Sequence, residues 1–365
     1  MKSLPDFPWD TISDARALAE NHINGLIDLS VGTPVDDVPA VIQDALLSHT
    51  NTPGYPTTIG VAELRHAALG WFERTLGANN LNVRQVIPTI GSKELIAWLP
   101  TILDLKKESH IAIPQIAYPT YEVSAIIAGH PIFRYGSIED LQNARDTGMD
   151  ICLVWLNSPS NPTGQVLSPQ EVHQVISWAQ SHDIILASDE CYIELGWDKS
   201  PVSILNSDVS NKRDNLLAVH SLSKRSNLAG YRAGLLSGDQ RLVEKVLEFR
   251  KHAGMLMPLP IQYAMKAALD DDAHVQVQRG RYAKRREILK AALIDAGFEI
   301  DHSEAGLYLW VSQGKDSRTT LEYFAKRGIL VAPGDFYGDS THCRVALTAS
   351  DDAVELAAKR LADSN

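Results

Sequence analysis

Cysteine, basic runs and long apolar segments are all scarce in this chain of 365 residues. Its three cysteines, Cys152, Cys191 and Cys343, are an odd number at long spacings without a C-x-x-C pair, so neither a disulfide framework nor a structural zinc site is expected. The formal net charge is -11, and without a Lys/Arg run the chain is poorly suited to bind nucleic acid. Its apolar runs are far shorter than the ~20 residues that a membrane span needs.

The sequence signatures of several enzyme classes are also absent. There is no G-x-G-x-x-G, G-x-x-x-x-G-K-[ST], G-x-S-x-G or H-E-x-x-H, which removes the sequence argument for a dinucleotide enzyme, a P-loop NTPase, a serine hydrolase or a zincin. The 12 histidines are scattered singly, and we assign none to a metal. The first ten residues contain one lysine and no apolar stretch, so we expect no secretory signal and a cytoplasmic protein.

Short apolar runs alternate with helical patterns from about residue 87 to residue 238, which is typical of a parallel sheet covered by helices on both faces. The candidate strands are 86–89, 110–114, 151–156, 184–188, 216–220 and 233–237. The candidate helices are 63–76, 92–103, 119–128 and 169–181. The sequence therefore predicts an α/β fold.

The pattern changes after residue 239, and a smaller α+β unit is predicted there. The first ~45 residues are proline-rich and weakly periodic, so we expect an extended arm that packs beside this unit. The expected helices of the unit are 241–252, 261–270, 274–297 and 351–362, and its expected strands are 307–311, 329–331 and 344–347.

The most informative segment is Ser221-x-Ser223-Lys224, with Arg232 eight residues further on, directly after a candidate strand. A lysine at the carboxyl end of a strand lies where α/β sheets place their ligands. In a desolvated pocket its amine is a nucleophile that can form a Schiff base, and the serines and the arginine suit a phosphate dianion. Taken alone, a solvated loop lysine explains the segment equally well.

Two further fragments lie at other strand ends of the same predicted sheet. Gly91-Ser92-Lys93 turns from a strand into a helix, whose free N–H groups favour an anion, although an ordinary helix cap looks the same. Tyr118-Pro-Thr-Tyr121 follows another strand and offers two rings. One of them is suited to stack on a flat cofactor, with plain core packing as the alternative.

Two more fragments complete the pattern. Asn161-Pro-Thr-Gly164 follows the candidate strand 151–156 and would hold the Asn161 amide in place, although Asn-Pro is also a common turn initiator. Asp189 follows the apolar run 184–187, with Tyr192 three residues later. A buried acid needs a partner, and a protonated ring nitrogen is a specific one. A Schiff-base lysine, a phosphate cup, a stacking ring, an amide with a phenol, and an acid together predict a pyridoxal phosphate site.

In this order and spacing, Asn161-Pro-Thr-Gly164, Asp189-x-x-Tyr192, Ser221-x-Ser-Lys224 and Gly230-x-Arg232-x-Gly234 resemble the fold type I, class I/II aminotransferases over essentially the whole chain. The resemblance implies a large domain with a mostly parallel seven-stranded sheet covered by helices, plus a smaller α+β domain. We expect an arm and part of the small domain at 1–45, the large pyridoxal phosphate-binding domain at 46–260 and the small C-terminal domain at 261–365.

The resemblance also implies residue roles. Lys224 would carry the cofactor and move the proton, Asp189 would hold the pyridine nitrogen, and Tyr192 with Asn161 would hold the ring hydroxyl. The implied cofactor-binding residues are Gly91, Ser92, Lys93, Tyr118, Asn161, Asp189, Tyr192, Ser221, Ser223, Lys224, Arg232 and, lent across a homodimer interface, Tyr55. The implied substrate-binding residues are Gly32, Asn161 and Arg344, whose guanidinium would fork onto the α-carboxylate.

A finer resemblance links segments 4–10, 29–35, 93–100, 250–258 and 328–334 to the N-succinyl-L,L-diaminopimelate aminotransferases of bacterial lysine biosynthesis, which would exchange an amino group with glutamate. A succinyl carboxylate would need a second cation near the mouth of the site. Lys93, Arg225, Arg250 and Lys251 are the candidates, although the sequence favours a solvated surface role for each of them and does not choose among them. The residues alone establish an amino-acid transaminase.

Three other functions fit parts of the pattern. Within the fold, the chain is also compatible with an aspartate or aromatic aminotransferase, or with a C–S lyase. A transcription regulator with an aminotransferase-like ligand domain is disfavoured by the net charge of -11. A catalytically inactive relative is disfavoured by the presence of Lys224, Asp189, Arg232 and Arg344 together.

Overall fold

The computed structural model describes residues 4–363, which contain thirteen strands and thirteen α-helices. The strands are β1 (Ile27–Asp28), β2 (Val86–Ile90), β3 (His110–Pro114), β4 (Ile132–Tyr135), β5 (Ile151–Asn157), β6 (Ile185–Asp189), β7 (Leu216–Ser221), β8 (Ala233–Gly238), β9 (Glu299–Asp301), β10 (Tyr308–Ser312), β11 (Ile329–Leu330), β12 (Ala332–Pro333) and β13 (His342–Ala346).

The helices alternate with these strands in the first two thirds of the chain. They are α1 (Ser13–Glu20), α2 (Ala40–Leu47), α3 (Ala62–Leu76), α4 (Ser92–Leu103), α5 (Thr120–Ala128), α6 (Ile138–Asp146), α7 (Pro169–Ser181), α8 (Leu222–Arg225), α9 (Gln240–Ala253), α10 (Leu259–Asp270), α11 (Ala273–Asp295), α12 (Ser317–Lys326) and α13 (Asp351–Ala362). Within residues 4–363, none of them combines the length and apolar character needed to cross a bilayer.

The centre of the fold is a seven-stranded sheet in the order β2-β8-β7-β6-β5-β3-β4. Strand β8 runs antiparallel to both of its neighbours, whereas the pairs from β7 through β4 are parallel. One face packs on α3, α6, α7 and α10, and the other on α4, α5 and α9. Because helices cover both faces, the inner strands are apolar over most of their length, and polar residues such as Asp189, His220 and Ser221 lie at their carboxyl ends. The predicted α/β class and mostly parallel seven-stranded sheet are confirmed.

The six strands predicted for this sheet are present with ends that differ by at most one residue. Strand β4 and helix α6 were not predicted. Strand β4 lies at the edge of the sheet, carries the exposed Arg134 and is only partly buried, so it lacks the apolar run that marks the inner strands.

The C-terminal part of the chain forms an antiparallel sheet in the order β12-β13-β10-β9, packed with α11, α12 and α13 around a separate apolar core. The N-terminal segment joins this core through Ile12, Ile27 and Leu29, and β1 pairs in parallel with β11. The expected extended arm is wrong in conformation, because the segment contains α1 and α2. Short amphipathic helices of this kind are stabilised by packing rather than by a long periodic pattern.

Candidate active site

A cleft of about 460 Å³ opens at the carboxyl ends of the central parallel strands and reaches the small sheet. Carboxyl ends of parallel strands are where open α/β sheets hold their ligands. Of the predicted site residues, those that line this cleft are Gly32, Ser92, Lys93, Tyr118, Asn161, Asp189, Tyr192, Ser221, Ser223, Lys224, Arg232 and Arg344. Gly91 lies next to Ser92 at the start of α4, and Tyr55 lies elsewhere on the surface.

Lys224 lies in α8, the single helical turn that directly follows β7. Its ammonium is withdrawn from water, and the Arg344 and Arg232 guanidinium groups add to this effect, so the pKa of Lys224 is lowered to about 8. A lysine with such a pKa is partly neutral near physiological pH. The cleft therefore contains an amine that can act as a nucleophile and exchange protons.

Asp189 is the last residue of β6, and its carboxylate is buried. The hydroxyl of Tyr121 donates to Oδ2 at 2.9 Å, and the backbone N–H of Cys191 donates to Oδ1 at 3.1 Å. Burial nevertheless raises the pKa of Asp189, with a further increase from the neighbouring Glu190 carboxylate. The acid thus lacks a cationic partner among the described residues, which is the environment that a protonated ring nitrogen would complete.

The other end of the cleft is built to receive an anion. Helix α4 starts at Ser92, and its N-cap Gly91, at φ 74°, provides no side chain to cap the first turn. Ser92 and Lys93 line the cleft, so free N–H groups of this turn lie at its wall. A Cβ atom on Gly91 would overlap the Arg232 guanidinium, which shows how closely this arginine approaches the turn. Ser221 and Ser223 lie opposite, and Oγ of Ser221 accepts from the Ser223 N–H at 3.1 Å.

Arg344 lies on β13 and is 2% exposed. Its Nη1 donates to Oδ1 of Asn161 at 2.8 Å, and its Nη2 donates to the carbonyl oxygen of Ser30 at 2.7 Å. The guanidinium also lies 3.9 Å from the centre of the Tyr308 ring. It is held by neutral groups and, among residues 4–363, faces no carboxylate within salt-bridge distance. A substrate carboxylate fits this position.

The two candidate stacking rings have different surroundings. Tyr118 lines the cleft, where burial raises its pKa to about 12. Tyr121 is fully buried, stacks on Trp155 with ring centres 5.2 Å apart, and donates to Asp189. Tyr121 is therefore a partner of the acid that the sequence reading left unassigned. Its position three residues after Tyr118, in the first turn of α5, was the available signal.

Tyr308 is a site residue that sequence reasoning missed entirely. Its hydroxyl lies 2.9 Å from that of Tyr192, and its ring lies under the Arg344 guanidinium. The Tyr308 hydroxyl also occupies the space where Gly32 would carry a Cβ, so only glycine allows this close approach. In the sequence Tyr308 is one apolar residue of a predicted strand, and nothing local distinguishes it.

The structure separates the four candidates for a second substrate-binding cation. Arg225 is buried against Glu194, and Arg250 is buried with Nη1 3.1 Å from both carboxylate oxygens of Glu94. Lys251 lies on α9 and pairs with Glu248. Only Lys93 of the four lines the cleft, where burial and the nearby Arg232 lower its pKa.

The residues of the cleft fit pyridoxal phosphate. A buried acid without a cation, a partly neutral lysine and a glycine-opened anion site at a helix start match the ring nitrogen, the aldehyde and the phosphate of that cofactor. Among the described residues, no group of three His, Cys, Asp or Glu side chains is placed to hold a metal ion. The arrangement defines the site of a pyridoxal phosphate-dependent enzyme.

The chain belongs to the class I and II aminotransferase family, and the sequence pattern of that family matches residues 24–361. Enzymes of this family depend on pyridoxal phosphate. The chain is 51% identical to a protein described as a probable aminotransferase from Mycobacterium tuberculosis, over 98% of this chain and 85% of that protein. It is 48% identical to the 4-dedimethylamino-4-oxo-anhydrotetracycline transaminase OxyQ of Streptomyces rimosus, over 99% of this chain and 100% of that protein.

A more distant relative is an LL-diaminopimelate aminotransferase of Dehalococcoides mccartyi, 30% identical over 100% of this chain and 97% of that protein. Among solved structures, an aminotransferase of Neisseria meningitidis superposes with a TM-score of 0.90 at 29% identity, covering 99% and 98% of the two chains. A Thermus thermophilus aspartate aminotransferase mutant gives a TM-score of 0.88 at 22% identity, covering 99% and 97%. These superpositions confirm the predicted fold type I.

Proposed function

We propose that this aminotransferase exchanges an amino group between glutamate and N-succinyl-L,L-diaminopimelate, as in bacterial lysine biosynthesis. The observation that carries the proposal is the cleft itself, which contains Arg344 for one carboxylate and Lys93 as a further cation. Within residues 4–363, no carboxylate pairs with Lys93. The sequence resemblance to N-succinyl-L,L-diaminopimelate aminotransferases and the more distant LL-diaminopimelate relatives support the same substrate class.

The cofactor is assigned to one end of the cleft. Pyridoxal phosphate supplies an aldehyde that bonds to amines and a ring that accepts electrons. The start of α4 with Ser92, Ser221, Ser223 and Arg232 would hold its phosphate, and Tyr118, which lines the same cleft, would stack on its ring. Asp189 would keep the ring nitrogen protonated, which would stabilise negative charge that develops on the substrate.

Lys224 moves the proton. A pKa of about 8 would let its Nζ accept a proton from the substrate Cα and give it back in the course of the exchange. The same residue works in both half-reactions. The kinetics are therefore expected to be ping-pong, with one amino acid leaving as its 2-oxo acid before the second oxo acid binds.

The substrate lies with its α-carboxylate on Arg344. The guanidinium is already oriented by Asn161 and Ser30, and Gly32 brings a backbone segment close to it. Lys93 then receives the distal succinyl carboxylate. Trp9 lines the same cleft and would pack against the succinyl chain.

The functional unit is proposed to be a homodimer. Tyr55 is 97% exposed in the isolated chain, which is unusual for a tyrosine and leaves its hydroxyl free to reach a neighbouring subunit. By the family pattern, each subunit lends this hydroxyl to the phosphate of the other.

The test is the visible absorption spectrum of the purified protein, titrated separately with L-glutamate and with N-succinyl-L,L-diaminopimelate. Both amino acids are expected to convert the absorption of the lysine-bound cofactor to that of its aminated form. Conversion by glutamate alone would keep the transaminase and reject the substrate. Lys93→Met is expected to lower kcat/KM for the succinylated donor much more than kcat/KM for glutamate. An equal decrease for both donors would assign Lys93 to the phosphate instead.

A second candidate substrate follows from the 48% identity to OxyQ, which acts on a tetracyclic ketone. The test adds a polycyclic ketone to the protein with glutamate as the amino donor. Mass spectrometry then measures the aminated product. Turnover of that ketone faster than of the succinylated oxo acid would favour this candidate. Release of pyruvate and ammonia from cystathionine would instead indicate the C–S lyase.

A further inference from the structure

A buried acid–base pair lies directly behind the strand ends that carry Asp189 and Ser221. Glu190 follows Asp189 in the chain, and His220 precedes Ser221. Nε2 of His220 lies 2.9 Å from Oε2 of Glu190, and the two residues are 3% and 1% exposed. Successive residues of a strand point to opposite faces, so the pair lies on the side of the sheet away from the cleft.

The pair is fixed from several directions. The backbone N–H of Ile204 donates to Oε1 of Glu190 at 2.9 Å, so each carboxylate oxygen has one hydrogen-bond partner. The imidazole packs edge-on against Trp71, with ring centres 5.1 Å apart, and 5.4 Å from Phe72. Neither side chain can turn without breaking a buried contact.

The position of the pair along the strands is specific. Backbone pairing between β6 and β7 ends at Asp189 and Val219, and the Glu190 N–H donates to the Val219 carbonyl oxygen at 2.9 Å. The contact between Glu190 and His220 extends the pairing beyond that point by one side-chain bridge. This contact therefore joins the end of β6 to the end of β7. The neighbouring residues Asp189 and Ser221 line the cleft.

Stability alone does not account for such a pair. Removing an acid and a base from water costs about as much free energy as their attraction returns, and an apolar pair of similar volume is commonly as stable. What the pair adds over an apolar contact is a fixed distance and direction. We propose that Glu190 and His220 are positioning residues that hold Asp189 at the correct separation from Ser221 and Lys224 for the cofactor ring; the inference rests on the roles proposed above for those three residues.

The decisive variant replaces both partners, because removing one would leave the other buried and unpaired. Glu190→Met combined with His220→Leu keeps the volume and removes the bridge. His220→Gln keeps an N–H donor near the position of Nε2. The matched control is His130→Leu, which removes a buried histidine whose Nδ1 lies 2.9 Å from the Ser109 carbonyl oxygen, before the opposite ends of the strands.

The measurements are the thermal midpoint of each apoprotein, the Kd for pyridoxal phosphate and the visible circular dichroism per bound cofactor. The double variant also leaves the buried Ile204 N–H without its acceptor, so its thermal midpoint is expected to fall, but no further than that of His130→Leu. It is expected to bind the cofactor about tenfold more weakly and to lose visible circular dichroism, as when a supporting partner of a bound group is removed. His220→Gln is expected to keep most of the wild-type affinity for the cofactor and most of the visible circular dichroism. His130→Leu is expected to change the midpoint only.

Two results would overturn the inference. One is a double variant with wild-type Kd and wild-type visible circular dichroism. The other is a loss of affinity that follows the loss of thermal midpoint in every variant, His130→Leu included. Failure of the wild-type protein to bind pyridoxal phosphate would instead reject the proposed site, so the two proposals fail in different ways.

Discussion

Arg344 donates a hydrogen bond of 2.8 Å to Asn161, and this bond joins the small C-terminal sheet to the loop after β5. The two residues are separated by 183 positions in the chain. The same guanidinium reaches back to Ser30 near the N-terminus. Three distant segments therefore converge on one cation before any substrate arrives, and its geometry is set in advance.

Arg344→Lys is expected to lower kcat/KM by about 100-fold for both the amino donor and the oxo-acid acceptor, because a lysine cannot make the forked contact to a carboxylate. Steady-state kinetics in both half-reactions would measure this. Arg318→Lys, an exposed arginine of the same C-terminal unit, serves as control. An unchanged kcat/KM in Arg344→Lys would remove the residue from the substrate site.

Lys224→Ala is expected to lose the covalent attachment of the cofactor while the chain keeps its fold. Lys224 lies in α8, three residues after the end of β7, and no hydrogen bond of its side chain to another described residue supports the structure. The visible spectrum and the far-UV circular dichroism report the two properties separately. Lys251→Ala, on the surface, is the control. A variant that keeps the absorption of lysine-bound cofactor would contradict the assignment.

The rate of cofactor attachment to the apoprotein is expected to depend on pH through Lys224. Only the neutral amine attacks an aldehyde, and a pKa of about 8 makes the neutral fraction rise about tenfold per pH unit below pH 8 and level off above it. Stopped-flow absorbance between pH 6 and pH 10 would follow the rate. A rate that still rises tenfold from pH 9 to pH 10 would indicate a lysine with its ordinary pKa.

Gly91→Ala is expected to weaken pyridoxal phosphate binding by about tenfold, because the new methyl group displaces the Arg232 guanidinium from the start of α4. Gly129→Ala is the matched control. Gly129 has a similar φ of 80° but no atom within 4 Å of the added Cβ, so it reports the backbone strain alone. Equal cofactor Kd values for the two variants would show that the Arg232 position is irrelevant.

Tyr55→Phe is expected to weaken cofactor binding in the dimer and to have no effect in a dissociated subunit. Sedimentation velocity and cofactor titration at several protein concentrations would separate the two states. Ile23→Ala changes a side chain that is equally exposed in the single chain and serves as control. A monomer that retains full activity would contradict both the dimer and the role of Tyr55.

Much of the fold and most of the cleft could be predicted from the sequence. Inner strands that are mostly apolar mark a sheet covered on both faces, and polar residues at or just after the carboxyl ends of such strands gather at one edge. Asp189 ends a strand in this way, and Ser92 and Lys224 follow one within three residues. The pattern failed at β4, an edge strand with an exposed Arg134, and in the N-terminal segment, where α1 depends on packing.

The rest required the tertiary structure, because it depends on contacts between residues far apart in the chain. The sequence resemblance assigned Tyr118, which lines the cleft, but gave no role to Tyr121, whose hydroxyl donates to Asp189. It also gave no reason to single out Tyr308, whose role arises only where Gly32 and Arg344 meet it.

The sequence by itself determined which residues stand at the end of each strand, since periodicity, turns and helix starts are properties of short segments. The tertiary structure decided which of these residues are buried and which charges they face. The lowered pKa of Lys224 arises mainly from burial with added effects of Arg344 and Arg232, and the same packing leaves Lys93 in the cleft while it buries Arg225 against Glu194. A residue's type comes from the sequence, whereas its solvent exposure and its neighbours come from the folded chain.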